Sequence, residues 1–267
     1  MLIKRVITAI WGVPLVLVAV WFSEPLTWFT ILMAVWGLLA AVEYQRITGV
    51  SGTRPLAAFG LVWTLLFIIS PHFTHGLTLP LLLTSAVVLS LALLLFLPKK
   101  DGVFASWAWT MGGILYIGWM VSLLVALRLD AGRTWVYLAL LATFASDTAA
   151  YFIGRFFGRH KMAPRISPGK TWEGAVGGLI GAVIVSLLFS LLGPVRLHFG
   201  YLTAALLGLL ISVFGQAGDL AESLLKRNAG VKESGSLLPG HGGLLDRLDS
   251  ILFAGAVVYI FCFLVII

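Results

Sequence analysis

Long apolar runs constrain this chain more than any other feature of its sequence. Of its 267 residues, 60% are apolar and only 11% are charged, and the mean hydropathy is +1.03. A soluble domain carries about 25% charged residues, so a chain of this composition could not cover its surface with polar groups. A helix that crosses a bilayer needs roughly 20 mostly apolar residues, and such runs recur along the chain. The composition predicts an all-α integral membrane protein.

Turn residues and charges divide the apolar runs into about nine predicted transmembrane helices. Helices are expected because the runs are continuous and do not alternate as strands do, and because a helix satisfies its own backbone hydrogen bonds in lipid. The first run lacks a small-residue cleavage site, so we interpret it as a retained span rather than a signal peptide. The predicted spans are 6–22, 26–42, 56–70, 77–97, 103–127, 134–153, 174–193, 200–222 and 250–267.

The distribution of Lys and Arg predicts the orientation of the chain in the membrane. Of the 18 basic residues, all but Arg128, Arg133 and Arg196 fall at the N-terminus or in the even-numbered connections. Cytoplasmic loops carry the excess of Lys and Arg, so the N-terminus and the even-numbered loops are predicted to be cytoplasmic. We therefore interpret the net charge of +7 as a topology signal and expect no nucleic-acid partner.

Polar residues are unevenly distributed along the chain, which we predict to be a single polytopic membrane domain over 1–267. Residues 1–130 form mainly N-terminal spans with few polar groups, whereas 131–267 contain the polar motifs and cytoplasmic loops. One predicted helix also presents a face of small residues, which permits close approach of a neighbouring helix. This face, which we interpret as a packing surface, consists of Gly174, Gly177, Gly178 and Gly181.

Two polar segments bring ionisable groups beside apolar helices, where such groups are costly unless they are paired or functional. In the segment 144–160, Asp147 lies well inside the sixth predicted span. A structural role is the alternative for Asp147, as an acid paired with Arg155 or another cation. In the segment 165–174, Thr171 could cap the seventh span. The backbone N–H groups of that helix start, with nearby cations, would attract an anion.

The third polar segment, 215–250, is the densest of the three. On a helix, Asp219, Ser223 and Arg227 follow one another at spacings of four and share one face. A Gly-rich loop, LPGHGG, and then two acids three residues apart complete the segment. Carboxylates from two helices with cations nearby suit a Mg²⁺–polyphosphate site, because Mg²⁺ takes hard oxygen ligands and shares them with phosphates. The pattern therefore predicts a metal-dependent phosphate site at membrane depth.

The segment 223–249 resembles the signature of the phosphatidate cytidylyltransferases, also called CDP-diacylglycerol synthases. That signature has the form S-x-x-K-R-x-x-x-x-K-D-x-x-x-x-x-P-G-H-G-G-x-x-D-R-x-D, and the chain departs from it only in having Glu233 for the usual Asp. Two upstream pieces also match, S-D-x-x-A-Y-x-x-G-R at 146–155 and R-x-S-P-x-K-T-x-E-G at 165–174. The likeness is dense in the C-terminal half, while the N-terminal half matches only as a string of spans.

The resemblance implies that CTP reacts with phosphatidic acid to give CDP-diacylglycerol and pyrophosphate, for phospholipid biosynthesis. It also implies Mg²⁺ as cofactor, with a second cation left open, and a homodimer. The protein is expected in the cell inner membrane, and the distribution of Lys and Arg predicts that its active site faces the cytoplasm. We predict that Asp219 and Asp246 hold the metal, with Asp249 as a ligand or orienting group, and that Lys226 completes the catalytic set. The predicted substrate-binding residues are Ser223, Arg227, Lys170, Ser167, Arg165, Asp147, His241 and Arg247.

Two other interpretations stay open at this point. A related CTP-dependent membrane enzyme, acting on an ether-lipid or polyprenol acceptor, would share the metal site and differ only in its acceptor. An ion-coupled transporter with intramembrane acids along its path is the non-enzymatic alternative. Against the transporter, the polar residues gather at the predicted cytoplasmic end of the last three spans, whereas a transport path would continue to the other side.

Overall fold

The computed structural model describes residues 14–22, 28–73, 76–97, 101–192, 200–236 and 242–265. Within these ranges, seven helices are long and apolar enough to cross a membrane. The prediction of an all-α, multi-pass membrane protein is therefore confirmed. Of the first predicted span, 6–22, the described part is helical over 14–21, and the rest lies outside the described residues.

Contacts along the chain define two compact units, which are described separately. Unit 1 comprises Met1–Leu129 and Ala229–Asp246, and unit 2 comprises Asp130–Asn228 and Arg247–Ile267. The division near residue 130 falls where the polar motifs begin in the sequence. The prediction of a single domain over the whole chain stays a prediction.

Unit 1 is built from helices that pack through aromatic and aliphatic side chains. Its helices are α1 (Trp28–Ile47), α2 (Arg54–Ile69), α3 (Thr78–Leu95) and most of α4 (Val103–Ala131). The fully buried Phe67 of α2 packs with Ala86 of α3 and Ile114 of α4, and tryptophan side chains surround this cluster. The apolar stretch of α2 is shorter than the seven long helices, so the count of nine spans stays a prediction.

Unit 2 consists of long helices and one short hairpin. Its elements are α5 (Arg133–Phe157), β1 (Lys161–Ala163), β2 (Ser167–Thr171), α6 (Trp172–Leu191), α7 (Tyr201–Asn228) and, from Arg247 on, α8 (Leu245–Val265). The two strands pair antiparallel, with Lys161 opposite Thr171. Thr171 then caps α6, as predicted, because its side-chain oxygen accepts a hydrogen bond from the Gly174 N–H at 3.1 Å. The segment predicted as a loop is thus a hairpin that leads directly into a helix.

Several helices extend further into polar sequence than the predicted spans. Helix α5 continues to Phe157, α7 continues to Asn228, and α8 begins at Leu245. The prediction ends each span where the hydropathy falls. A polar side chain, however, does not interrupt the hydrogen bonds between residues i and i−4, so the helix continues beyond its apolar part. As a consequence, Lys226, Arg247 and Asp249 lie on helices and are held in fixed directions.

The glycine face of α6 packs against α5, which confirms its interpretation as a packing surface. A Cβ atom at Gly181 would lie 2.8 Å from the Ala145 carbonyl oxygen and 3.0 Å from the Ala149 Cβ. At Gly174, a Cβ atom would lie 2.7 Å from the Ala150 carbonyl oxygen. The backbones of α5 and α6 therefore approach so closely that only glycine fits along this face.

We expect Gly181→Ala to destabilise the protein, because the added methyl group meets a backbone carbonyl that cannot rotate away. Overpacking of this kind costs about 1–3 kcal/mol, and each kcal/mol lowers the melting temperature by roughly 2–4 °C in a chain of this size. Gly200→Ala is the matched control, since no described atom lies within 4 Å of a Cβ at Gly200. Thermal unfolding in detergent, followed by tryptophan fluorescence, measures both. Equal melting temperatures would contradict the close packing of α5 and α6.

Candidate active site

Three aspartates on three helices of unit 2 form the centre of the candidate site. Asp147 lies on α5, Asp219 on α7 and Asp249 on α8. Asp147 and Asp249 each interact electrostatically with Asp219, and Asp147 also acts on Asp249. Asp249 is only 9% exposed, Asp219 is half-buried and Asp147 is exposed. Three neighbouring carboxylates repel one another, so this arrangement favours cations between and around them.

Close packing and a buried polar network hold these helices in register. The Ser146 and Ser212 hydroxyl oxygens lie 2.7 Å apart, and the Gln216 side-chain amide donates to Ser212 Oγ at 2.9 Å and to the Ala175 carbonyl at 3.1 Å. This network joins α5, α6 and α7 beside Asp147. A hydrogen-bonded buried network specifies one packing arrangement, so the carboxylates are positioned by the helices rather than by flexible loops.

Helix α8 approaches α7 next to the central aspartate. A Cβ atom at Gly218 would lie 2.6 Å from the Asp249 carbonyl oxygen and 2.7 Å from the Phe253 ring. The residue after Gly218 is Asp219, so the close approach brings Asp249 beside it. The glycine at 218 is therefore required by the geometry of the site, since any larger residue would separate the two helices.

Cations surround the three aspartates. The Lys170 ammonium, on β2, lies 2.9 Å from Asp219 Oδ2 and also interacts with Asp147. Arg247 of α8 acts on Asp147, and Lys226 acts on Asp249. Positive charge therefore faces the carboxylates from the hairpin, from α7 and from α8. Such a set of fixed opposite charges is suited to binding an anionic phosphate chain.

Lys226 is itself held by a buried acid on its own helix. Glu222 is 1% exposed and forms an ion pair with Lys226 one turn further along α7. A spacing of four residues places the two side chains on one face of the helix, which favours this pair. Because the partner is buried, the Lys226 ammonium is restrained near the cytoplasmic end predicted for α7.

The remaining predicted contacts connect the hairpin with α7. The Ser223 hydroxyl donates to Asp219 Oδ1 at 3.3 Å, in agreement with their spacing of four. Arg227 Nε donates to the Ile166 carbonyl oxygen at 3.1 Å, in the turn between the strands. Beside Ile166, Arg165 is exposed and Ser167 is half-buried. The ion pair of Lys170 and the hydrogen bond of Arg227 thus join the hairpin to α7 at two points.

Glu173 holds the base of the hairpin, a role that the sequence analysis does not assign. Its carboxylate accepts hydrogen bonds from the His160 backbone N–H at 3.2 Å and lies 2.6 Å from His160 Nδ1. The Trp172 N–H also donates to the His160 carbonyl at 2.9 Å. These contacts close the segment between α5 and α6, which fixes the strand that carries Lys170.

Arg155 is not the partner that the structural alternative for Asp147 requires. Its guanidinium donates to the Tyr151 hydroxyl at 2.7 Å, one turn back on α5. The cations that interact with Asp147 are Lys170 and Arg247, both of which belong to the aspartate cluster. Asp147 therefore lies among the charges of the cluster. Pairing with a cation other than Arg155 is compatible with this position, and the role of Asp147 in substrate binding stays a prediction.

Two further predicted residues are not part of this cluster as described. Asp246 belongs to unit 1, where its carboxylate accepts hydrogen bonds from the backbone N–H groups of Ser234 at 3.1 Å and Gly243 at 2.8 Å. Its joint role with Asp219 in a metal centre stays a prediction. His241 lies outside the described residues.

The donor atoms of the cluster fit a magnesium ion that shares its ligands with phosphate. Among the described residues, no three His, Cys, Asp or Glu side chains are grouped so as to hold a metal ion by themselves. Mg²⁺ does not need such a group, because it is usually bound by one or two carboxylates together with waters and substrate phosphates. Asp219 and Asp249 supply oxygen atoms of the right kind on neighbouring helices.

One polar residue that contacts the signature segment is not predicted from the sequence. Glu43 is buried near the end of α1 and contacts Ser234 and Leu245 in unit 1. The predicted span 26–42 ends one residue before Glu43, which places this acid outside the membrane helix. The position of Glu43 next to an apolar run could have identified it, because an acid at such a position is costly unless it has partners.

The chain is similar over nearly its whole length to known proteins. A model of the cytidylyltransferase family matches residues 3–265. A phosphatidate cytidylyltransferase of Brucella suis is 37% identical over 264 residues, which are 96% of this chain and 92% of the relative. One of Bacillus subtilis is 35% identical over 237 residues, 86% of this chain and 87% of the relative. One of Staphylococcus saprophyticus is 37% identical over 227 residues, 84% of this chain and 86% of the relative.

Proposed function

The chain belongs to the cytidylyltransferase family, and from this premise we propose that the aspartate cluster of unit 2 is its active site. The enzyme transfers the cytidylyl group of CTP to phosphatidic acid, and the products are CDP-diacylglycerol and pyrophosphate. The observation that carries the assignment of the site is the ion pair between Lys170 and Asp219, among three aspartates and further cations. The names of the relatives favour phosphatidic acid over an ether-lipid or polyprenol acceptor, and an enzyme over a transporter.

The reaction brings two anions together, the lipid phosphate and the triphosphate of CTP. The cations of the site reduce the repulsion between them. An oxygen atom of the lipid phosphate attacks the α-phosphorus of CTP, the bond from that phosphorus to the bridging oxygen breaks, and pyrophosphate leaves with the electron pair. Lys170, Lys226 and Arg247 neutralise the triphosphate and the lipid phosphate and hold them in line. Helices and a closed hairpin hold the backbone that carries these cations, so only side chains need to move when the substrates bind.

Lys170 changes partner when the nucleotide binds. The Lys170 ammonium lies 2.9 Å from Asp219 Oδ2. A triphosphate offers oxygen atoms of higher charge, so the ammonium turns toward the phosphate and leaves the carboxylate available for a metal ion. Ser223, which donates to Asp219, keeps that carboxylate oriented during the exchange. Arg227 lies next to the hairpin turn and, with Arg165 and Ser167, closes over the nucleotide.

Mg²⁺ would be held by Asp219 and Asp249, with Asp246 as the ligand predicted from the family signature and a second cation left open. When bound, the metal would supply positive charge that offsets the negative charge of the phosphates and of the leaving pyrophosphate. Asp147 lines the same site and extends the negative surface that attracts the ion. The half-buried position of Asp219 keeps its carboxylate accessible to the substrate.

The site faces the cytoplasm in a protein of the cell inner membrane. The excess of Lys and Arg in the even-numbered connections supports this orientation. The hairpin and the C-terminal end of α7 lie in those connections, so the cations of the site are on the predicted cytoplasmic side. The family resemblance further supports a homodimer as the assembled form.

The proposed reaction is tested with purified protein in detergent, Mg²⁺ and CTP labelled at the α-phosphate. We expect the label to appear in a lipid when phosphatidic acid is added, with one pyrophosphate released for each lipid labelled. Label transferred only to a polyprenol or ether-lipid acceptor would overturn the assignment of the acceptor. Protein that unfolds cooperatively on heating but labels no acceptor would overturn the enzyme assignment.

A further inference from the structure

A buried acid in unit 1 contacts the family signature from the N-terminal half of the chain. Glu43 lies near the end of α1 and is only 4% exposed. Its Oε2 atom accepts a hydrogen bond from the Ser234 hydroxyl at 3.1 Å and another from the Leu245 backbone N–H at 2.9 Å. These partners lie on both sides of the PGH sequence of the signature, at 239–241. One carboxylate oxygen therefore joins the two flanks of that segment.

The carboxylate of Asp246, a residue of the signature, also contacts both flanks of the PGH sequence. Asp246, in the first turn of α8, accepts hydrogen bonds from the Ser234 N–H and from the Gly243 N–H. Ser234 is thus held twice, through its hydroxyl by Glu43 and through its backbone by Asp246. Glu43 in turn accepts the Leu245 N–H at the first residue of α8, where the backbone N–H groups have no partner within the helix. The position of the Asp246 carboxylate consequently depends on Glu43.

The glycines of this segment show how closely it is packed on Glu43. A Cβ atom at Gly235 would lie 2.9 Å from the Glu43 Cδ atom. At Gly243, a Cβ atom would lie 2.7 Å from the Gly235 nitrogen and would also meet Glu43 Oε2. The segment therefore fits around the Glu43 side chain only because both positions lack a side chain. An acid buried on an apolar helix is costly unless it is paired or functional, and here its partners are the flanks of the signature.

We propose that Glu43 is a positioning residue, which anchors Ser234 and the start of α8 and thereby sets the direction of the Asp246 carboxylate. The anchoring follows from the contacts within unit 1, and its consequence for catalysis rests on the proposed function of Asp246. Removal of the anchor would leave the helices of unit 1 in place and release the two described flanks, 234–236 and 242–245. The Asp246 carboxylate would then no longer be held in one direction. As a result, the turnover number and the Mg²⁺ concentration needed for half-maximal rate would change together.

Hydrogen exchange of the full-length protein in detergent tests the anchor directly. In Glu43→Leu, the amides of the peptide that contains Ser234 and of the one that contains Leu245 are expected to exchange about tenfold faster or more, because a hydrogen bond to a charged acceptor is lost. Glu43→Gln keeps one acceptor oxygen and should give an intermediate rate. Ser234→Ala removes only the hydroxyl contact and provides a variant with a smaller change in volume, should Glu43→Leu fold poorly.

Thr30→Val is the matched control for these variants. Thr30 is a buried polar residue of the same helix, and its hydroxyl lies 2.9 Å from His72 Nε2, away from the signature. In Thr30→Val, we expect the amides of the peptides that contain Ser234 and Leu245, the signature peptides, to exchange at the wild-type rate. The same proteins are then assayed for CDP-diacylglycerol formation over a range of Mg²⁺ concentrations. The Glu43 variants should need several-fold more Mg²⁺ for half-maximal rate, which a general loss of stability would not produce.

Unchanged exchange in the signature peptides of Glu43→Leu and Ser234→Ala would overturn the anchoring role. Equal acceleration in Thr30→Val would also overturn it, because the effect would then be a property of α1 as a whole. Faster exchange in the Glu43 variants, in a protein whose wild type forms no liponucleotide, would leave the anchor in place and overturn the proposed function. Faster exchange with an unaltered Mg²⁺ response would overturn the link from Glu43 to Asp246.

Discussion

Asparagine in place of Asp219 is expected to lower kcat/KM for CTP by a factor of about 10²–10³, the loss typical of removing one electrostatic contact to a transition state. Asp219 is the carboxylate shared by the whole site, since it binds Lys170 and Ser223 and interacts with Asp147 and Asp249. The side chains of Asp and Asn have nearly the same shape, so the fold should be retained while the negative charge is lost. Initial rates of CDP-diacylglycerol formation at saturating phosphatidic acid measure the effect.

The matched control for this prediction is Asp130→Asn, which removes the same charge from the same unit. Asp130 lies before the start of α5, where its carboxylate accepts a hydrogen bond from the Tyr259 hydroxyl at 3.1 Å. Its activity should stay within a small factor of the wild type. If the Asp219 variant retained most of the wild-type rate, or if both variants lost activity equally, the aspartate cluster would not be the catalytic centre.

Methionine in place of Lys170 is expected to lower kcat/KM for CTP by roughly 10²-fold, because the site loses a cation that meets the substrate phosphates. The apolar stem keeps its length, so the hairpin should retain its packing. The loss has two causes: a triphosphate contact disappears, and Asp219 loses its partner at 2.9 Å, which raises the repulsion between the carboxylates and the substrate. Steady-state rates over a range of CTP concentrations separate the effect on KM from that on kcat.

Lys161→Met is the control, because Lys161 lies on the other strand of the same hairpin. It is exposed and stands opposite Thr171 in the strand pairing. The two variants therefore lose the same charge from neighbouring strands, but only Lys170 contacts the aspartates. An equal loss in both would indicate a general effect of positive charge on substrate attraction. Wild-type kinetics in the Lys170 variant would remove this residue from the site.

Features that depend on neighbours along the chain were predictable from the sequence. The apolar runs predict the helices because a spanning segment needs a continuous apolar length. The spacing of four residues predicts the contact between Asp219 and Ser223, which the structure shows at 3.3 Å. The same reasoning predicts the Thr171 cap and the glycine face of α6, because both are local consequences of helix geometry. Each of these features follows either from the spacing of residues on one helix face or from the start of a helix.

Contacts between distant segments were not predictable in the same way. The sequence motif predicts that Lys170 binds the nucleotide, and the structure pairs it with Asp219, 49 residues further along the chain. That pairing depends on how the hairpin folds back on α7, which no local pattern specifies. The strands were missed because they are only three and five residues long, and because the second contains Pro and Gly, residues typical of turns.

Glu43 shows a different limit of prediction from sequence. The resemblance to the signature identifies residues 223–249 but says nothing of what supports them from the N-terminal half. Glu43 reaches Ser234 across 191 positions of the chain. Its burial depends on the continuation of α1 to Ile47, beyond the point where the hydropathy falls. A resemblance thus supplies the identity of the reacting groups, and the structure supplies the residues that hold them.

The most direct test of the central claim is the structure of this protein with CTP and Mg²⁺ bound. The account predicts that the triphosphate contacts Lys170 and Lys226, and that the Asp219 carboxylate binds the metal ion. In that structure, the Lys170 ammonium should have moved from Asp219 to a phosphate. A nucleotide bound elsewhere, with the ion pair between Lys170 and Asp219 intact, would contradict the assignment of the active site to the aspartate cluster of unit 2.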